Sequence, residues 1–363
     1  MPYSTFVGAA LDEFFTHGGA GRGGGDFVTS PEVGSLFGAL VARALDQWFV
    51  DLGSPDPFIV VDAGAGRGRL ARDVLRVEPA SAAALRYVMV ERSATLRAEQ
   101  RDLLTIEPWE DALGPFLPAP DGDDDPEPVR GTGPIVTSLD DLPALAFEGV
   151  IVANELLDNL PFDVVERAAT GWTEIRVGVD GERFVEVPVP ADASVTPAFD
   201  APPGSRLPLQ RGIDAWLAAC ATGLHRGVVV VIDYTAPAAV VAARGQHGWL
   251  RTYRAHQRGG DPFSAPGTQD LTTDVVTETL RRAARRAGFT VAAEMTQAAW
   301  LTSLGIDEMV DAGRREWQAR AHIGDLAALA GRSRVTEAAA LTDPGGLGAH
   351  TVTILTKNFV PAS

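Results

Sequence analysis

The chain has 363 residues, more than a typical single domain, and its 45% hydrophobic and 22% charged content is that of a soluble globular protein. One large α/β domain with a sizeable insertion, or two domains, is therefore expected, and a formal net charge of −17 excludes nucleic acid and anionic membrane surfaces as main partners, because both repel an acidic face. A single cysteine, Cys220 in the apolar run AWLAACA, excludes an internal disulfide framework and reads as a small buried hydrophobe in a reducing cytoplasm, with neither a signal peptide nor a bilayer-spanning segment expected.

Residues 18–25 are almost all glycine and read as a mobile loop. They run into Asp26-Phe27-Val28-Thr29-Ser30-Pro31-Glu32 and then an apolar-periodic helix over 33–49. Ser30 suits the cap of that helix, Pro31 its first turn and Glu32 its positive end, which leaves Asp26 and Thr29 without a local reason. The stretch 58–75, FIVVDAGAGRGRLARDVL, reads as a strand buried on both faces, a turn with Gly64, Gly66 and Gly68, and the start of a helix. Glycines there allow a tight turn and contact between a ligand and bare backbone, and free N–H groups at the helix start favour a polar or anionic group. By itself such a turn also suits no ligand at all. A dinucleotide fingerprint needs a third glycine where Arg69 stands, so the spacing argues against it.

A second buried strand over 87–90 ends at Glu91, an acidic residue placed to accept hydrogen bonds from ribose hydroxyls, and a helix follows to about Leu104. Residues 107–134 are rich in Pro, Asp and Gly. The acidic run at 121–127 lacks the ligand spacing of an EF-hand and reads as a surface loop. A short strand is expected over 135–137, with Asp140 and Asp141 beyond it. The strand at 149–153 ends in Asn154, Glu155, Asp158 and Asn159, four polar groups that are costly to bury at the carboxyl end of a core strand and so point to a site. Alternation over 162–190, with turns at Thr170-Gly171 and Asp180-Gly181, predicts an inserted antiparallel sheet.

A helix over 210–224 and a core strand over 227–234 follow, the latter ending Asp233-Tyr234. Residues 250–272 have little periodicity but carry Tyr253, Arg254, His256 and Asp270, the mixture of a functional loop. Thr272 is expected to cap a helix reaching Ala287, with Gly288 as its stop. Then come a strand at 289–293, helices at 300–305 and 307–329, and a strand at 351–355 able to pair antiparallel at the sheet edge. No internal repeat, metal-ligand spacing or nucleophile elbow is present, so no metal is expected.

The D-x-G-x-G-x-G at 62–68 resembles the first motif of class I S-adenosylmethionine (SAM) methyltransferases. Together with GDFVTSPE at 25–32, LFG at 36–38, ANELLDNLPFDVV at 153–165, IDYT at 232–235, LRTYRAH at 250–256, PGTQDLT at 266–272 and TQAAWLTSLGI at 296–306, it makes the chain similar to the MidA-like SAM-dependent methyltransferases. Mitochondrial members of that family are complex I assembly factors that symmetrically dimethylate an arginine. The resemblance implies an α/β class I SAM-methyltransferase fold, Rossmann-like and mostly parallel with an antiparallel C-terminal edge strand, plus an N-terminal helical segment and the inserted sheet. It divides the chain into a lid and helix at 1–57, a first part of the core at 58–161, an inserted substrate-side region at 162–209 and the rest of the core at 210–363, with a substrate loop at 236–272.

The resemblance further implies that Asp26, Thr29, Asp62, Gly64, Gly66, Gly68 and Glu91 hold SAM, that Asn154, Glu155 and Asp158 are catalytic, and that Tyr253, Arg254, His256 and Asp270 bind substrate. The expected acceptor is a protein with an accessible arginine, and the expected setting a cytoplasmic, bacterial protein that forms a homodimer. The alternatives are a small-molecule O- or N-methyltransferase and a SAM-binding assembly protein without catalysis. Two departures fall near the expected substrate entrance: LDEFFTHGGAGRGG stands where relatives carry a Tyr-Tyr type element, and Thr235 stands where a glycine commonly follows Asp-Tyr.

Overall fold

A computed structural model describes residues 1–16, 29–114, 132–192, 197, 199, 201–254 and 257–361, with the backbone alone at 254, 257 and 258. Seven strands form its main sheet: β1 (Phe58–Ala63), β2 (Leu85–Val90), β3 (Ile135–Leu139), β4 (Phe147–Asn154), β5 (Leu224–Asp233), β6 (Thr290–Thr296) and β7 (Thr351–Lys357). Their order is β6-β7-β5-β4-β1-β2-β3. Pairs β1/β2, β1/β4, β2/β3 and β4/β5 are parallel, and β6/β7 is antiparallel. Every residue of β1 and β2 is buried, which is why these strands read as unbroken apolar runs. From β1 the chain builds outward through β2 and β3, then returns to β1's other side with β4. That reversal puts a topological switch point between the carboxyl ends of β1 and β4.

By its contacts the chain divides into two units, one of 1–27, 155–219 and 233–288, the other of 28–154, 220–232 and 289–363. The second unit contains the seven-stranded sheet. Its core packs Phe37, Leu40 and Val41 of the helix Ser35–Asp51 and Leu70 and Val74 of the helix Arg69–Arg76 with Val60, Val150 and Val228. The first unit contains the helix Tyr3–Thr16, the inserted sheet and a three-stranded antiparallel sheet. In the inserted sheet, Arg183–Pro190, Gly171–Asp180, Asp163–Ala168 and Arg206–Leu209 lie side by side in that order. Tyr3, Phe6, Phe162, Val164, Trp249 and Leu271 form this unit's core.

The expected α/β class, the mostly parallel sheet and the inserted antiparallel sheet are all present. Several local expectations are corrected. The C-terminal strand β7 pairs antiparallel as expected, but β6 is the outermost strand, in keeping with its more exposed pattern. Residues 250–272 form strands Leu250–Arg254 and Asp270–Thr273, paired antiparallel with Arg251 opposite Thr272. Thr272 is therefore a strand residue, and the next helix begins at Thr277. The helix expected at 33–49 is broken at Gly34, where a Cβ would lie 2.2 Å from the Glu337 carboxyl carbon. Glu337 Oε2 accepts the Leu36 N–H at 2.8 Å and so caps the second piece. The helix expected at 307–329 is two, Ile306–Arg320 and Leu326–Leu341, because Asp325 accepts the Ala328 N–H at 3.0 Å and starts a new one.

Ile59, Gly149 and Gly227 share one rung across β1, β4 and β5. A Cβ on Gly149 would lie 1.9 Å from the Ile59 carbonyl oxygen, and one on Gly227 would lie 1.9 Å from that of Gly149. Backbone at the centre of a sheet cannot retreat from such an overlap. Gly149→Ala should thus lower stability by more than about 3 kcal/mol, whereas Gly181→Ala, at a hairpin turn with φ +60° and open space around it, should cost about 1 kcal/mol. Denaturant unfolding of the two variants checks this, and equal losses would contradict the packing argument.

Candidate functional site

The glycine turn lies in the second unit, at the carboxyl end of β1. Gly64 and Ala65 N–H groups both donate to the Val90 carbonyl, at 2.9 and 3.0 Å, which ties the turn to the end of β2. Gly64, Gly66 and Gly68 have φ of +77°, +53° and +78°, conformations that side chains disfavour. The three glycines differ in their surroundings. A Cβ on Gly68 would lie 2.8 Å from Met89 Sδ, so this glycine serves close packing of helix on strand. At Gly66 a Cβ would meet nothing within 4 Å among the described residues, so bare backbone is open there, as a bound ligand requires.

Two side chains hold the Gly66 residue from opposite sides. Glu91, just past β2, accepts the Gly66 N–H at 3.0 Å with one carboxylate oxygen and the Ser93 N–H at 2.8 Å with the other. Burial raises the Glu91 pKa and these two bonds act against that shift. Gln100, fully buried at the end of the helix Ala94–Gln100, donates to the Gly66 carbonyl at 2.8 Å and accepts from Ser138 Oγ at 2.6 Å. Sequence reasoning missed Gln100. The only trace of it there is an amide on the face that also buries Leu96, one helical turn earlier.

Asp62 is buried and takes a hydrogen bond from Tyr87 Oη at 3.2 Å. Burial first, and then the charge of Glu91, push its pKa up to about 7. Its visible role is thus inside the sheet. Thr29, left unexplained by the sequence, is the N-cap of the short helix Ser30–Val33: its carbonyl accepts the Glu32 N–H at 2.8 Å, and its own N–H donates to the Glu32 carboxylate at 3.5 Å. Ser30, the expected cap, is instead buried and donates to Gln297 at 2.9 Å. Asp26 lies outside the described residues.

The polar group of the first unit is built on the segment that follows β4. Asn154 is the last residue of that strand, and Glu155 adopts φ +51°, a left-handed conformation costly for a non-glycine residue. A single 3-10 turn, Leu157–Asn159, comes next. Asp233, at the end of β5, accepts the Leu157 and Asp158 N–H groups on one oxygen at 2.9 and 3.3 Å, and the Tyr234 N–H on the other at 2.8 Å. Even so, burial and the neighbouring Glu155 push its pKa up to about 7.

Asp158 is 1% exposed, and among the described residues its Oδ1 has no hydrogen-bond partner. Burial, then the charges of Asp233 and Asp270, push its pKa up, against the pull of Arg251. Asn159 donates to Asp270 Oδ1 at 3.1 Å and to the Leu271 carbonyl at 3.3 Å, and burial pushes Asp270 up to about 6. Tyr234, which the sequence reading did not place in the site, is half-buried with its phenol pKa raised by burial and by Glu155 and Asp158. The Arg251 guanidinium sits 5.1 Å from its ring centre and is ion-paired with Asp274, which also holds Arg244 at 2.6 Å.

The structure thus brings Glu155, Asp158 and Asp270 together, with Tyr253 opposite Asp270 in the strand register. Thr235 pairs with Val275 in a two-stranded element beside Tyr234. Arg254 closes the strand Leu250–Arg254, its side chain being outside the description, as is the whole of His256.

Residues 40–295 match the protein-family model described as "Putative S-adenosyl-L-methionine-dependent methyltransferase". Among curated proteins, the chain is similar to the mitochondrial protein arginine methyltransferase NDUFAF7 of Mus musculus, 31% identical over 310 residues that cover 78% of this chain and 65% of the relative. The Homo sapiens protein of the same name is 31% identical over 314 residues, covering 78% and 64%. The Drosophila melanogaster homologue is 29% identical over 287 residues, covering 73% and 61%. The chain therefore spans about three fifths to two thirds of the length of these relatives. Among solved structures, a Burkholderia thailandensis protein with S-adenosylhomocysteine bound aligns with a TM-score of 0.79 at 28% identity, over 100% of this chain and 89% of that one. With the glycine turn, the Glu91 clamp and the sheet order all in place, the match over most of its length establishes that the chain belongs to the MidA-like family of SAM-dependent methyltransferases.

Proposed function

We propose that this chain binds SAM on the Gly64–Gly68 turn and methylates an arginine guanidinium of a protein. The observation that carries the acceptor half is the buried carboxylate of Asp158, whose Oδ1 has no partner among the described residues and which sits among Glu155, Asp233 and Asp270. Carboxylates gathered without equal positive charge favour a cation, and a guanidinium offers paired, planar donors to them. The names of the NDUFAF7 relatives support the same acceptor.

The cofactor half fits the residues present. Open space over the bare Gly66 backbone gives a flat group room to approach, and the Glu91 carboxylate beside it retains acceptor capacity for ribose hydroxyls. Bound SAM supplies a methyl group made electrophilic by its sulfonium. Gly64, Gly66, Gly68 and Glu91 would hold it, Gln100 would fix the turn, and Asp26 and Thr29 belong to the segment expected to close over it. Glu155 and Asp158 orient the guanidinium through paired hydrogen bonds. The acceptor nitrogen gives up a proton as it gains the methyl group, and a buried carboxylate whose pKa is raised by burial and by neighbouring Asp233 and Asp270 is suited to take it.

Glu155→Gln combined with Asp158→Asn should lower methyl transfer at least about 100-fold while calorimetry finds SAM affinity changed less than about threefold. Methylation undiminished in that variant would refute the acceptor roles. Gly66→Ala should do the reverse: the added methyl occupies the open space over the turn and weakens SAM binding at least about tenfold, at a stability cost near 1 kcal/mol. Absence of SAM binding by the wild-type chain would end the methyltransferase reading altogether.

Asp233 near 7 and Asp270 near 6 lie above the unfolded carboxylate value, so the folded protein holds more protons than the unfolded chain between about pH 4 and 7. Stability should fall as pH rises through that window. Affinity for a cationic acceptor should rise through it, because ionisation of the carboxylates restores the attraction. Melting temperature and arginine-peptide binding measured at pH 5, 6, 7 and 8 should move in opposite directions, and parallel changes would contradict the assignment.

A further inference from the structure

We infer that Asp233 is the positioning residue of the acceptor site, acting through the backbone of 155–158. The inference deepens the proposed arginine-methyltransferase reading and rests on it for its kinetic arm only. Asp233 is fully buried, and its two oxygens accept three backbone N–H groups: Tyr234 at 2.8 Å, Leu157 at 2.9 Å and Asp158 at 3.3 Å. Among the described residues its hydrogen bonds all come from backbone N–H groups, so the carboxylate serves to shape the chain.

The turn it shapes is costly in itself. Glu155 sits at φ +51°, a conformation that costs a non-glycine residue about 1–2 kcal/mol, and the segment would relax without an external hold. Asp233 supplies the hold by taking two consecutive N–H groups, those of Leu157 and Asp158, at the start of the 3-10 turn Leu157–Asn159. Asn159 adds a second tether, to Asp270 Oδ1 at 3.1 Å and the Leu271 carbonyl at 3.3 Å. Asp270, which the sequence pointed to as a substrate ligand, therefore works in part as an anchor. With the backbone fixed at both ends, Asp158 keeps a buried carboxylate oxygen free of partners among the described residues. Asp233 thus touches no substrate in this account. It sets the geometry of the groups that do.

The test has two independent arms. In the wild-type protein, the Leu157 and Asp158 amides should exchange with deuterium as slowly as those of the central strand β4; exchange at loop rates would overturn the hold. In Asp233→Asn the amide NH₂ meets N–H donors in place of an acceptor. SAH affinity should change less than about threefold, kcat for methyl transfer should fall at least about 100-fold, and adding Asp158→Asn should lower it by no more than about threefold further, because both changes break one unit. An unchanged kcat, a strictly multiplicative double variant, or SAH affinity lost in step with kcat would each overturn the inference. Should Asp233→Asn not fold, Asp233→Glu, which keeps the charge but displaces it by one methylene, is held to the same split. A wild-type chain that binds no SAH and transfers no methyl group sinks the methyltransferase reading, while the exchange arm still judges Asp233.

Discussion

A carboxylate taken out of water needs hydrogen bonds from its surroundings, and the segment after β4 is organised by how that need is met. Asp233 meets it with backbone N–H groups from the segment after β4, and in doing so fixes that segment's path. Asp270 meets it with Asn159 and its neighbour's N–H. Asp158, held by the same turn, has one oxygen left over among the described residues. Two buried acids are thus used to shape the chain and the third is left with capacity. Burial dominates the raised pKa of all three, so the group carries less charge than three exposed carboxylates would.

The glycine turn is built differently, by backbone shape. Positive φ at Gly64, Gly66 and Gly68 makes the turn, and the side chains of Glu91 and Gln100 grip Gly66 by its N–H and its carbonyl. Gln100 in turn is tied to Ser138 at the end of β3. The turn is therefore referenced to β1, β2 and β3 at once, which gives it a fixed form before any ligand arrives. Such preorganisation spares a ligand the entropy of ordering the loop.

Much of this was legible in the residues. Buried parallel strands announce themselves as β-branched runs, and a glycine triplet after such a run marks a turn whose φ no other residue adopts cheaply. Four polar residues at the end of a core strand stand out because burying them is costly, and the structure does bury Asp158 among hydrogen-bonded neighbours. What stayed hidden depends on partners remote in sequence. Nothing near Gln100 says that its amide reaches Gly66, and nothing near Asp233 says that its oxygens meet N–H groups 75 and 76 residues earlier. Thr29 and Ser30 exchanged roles because the cap lies one residue earlier than the helical period suggested. The break between the last two helices had its signal in Gly324-Asp325, but the apolar period running through it spoke for one helix. The strand pairing of 250–254 with 270–273 joins segments some twenty residues apart, beyond the reach of local pattern.

The central claim is that the buried acids of this chain serve to present a guanidinium to an activated methyl group. Its most direct test is chemical identification of the product: incubate the chain with isotopically labelled SAM and lysate, hydrolyse the labelled protein, and locate the label among the amino acids. The account predicts recovery as methylated arginine. Label on lysine, on a carboxylate or confined to small molecules would contradict it.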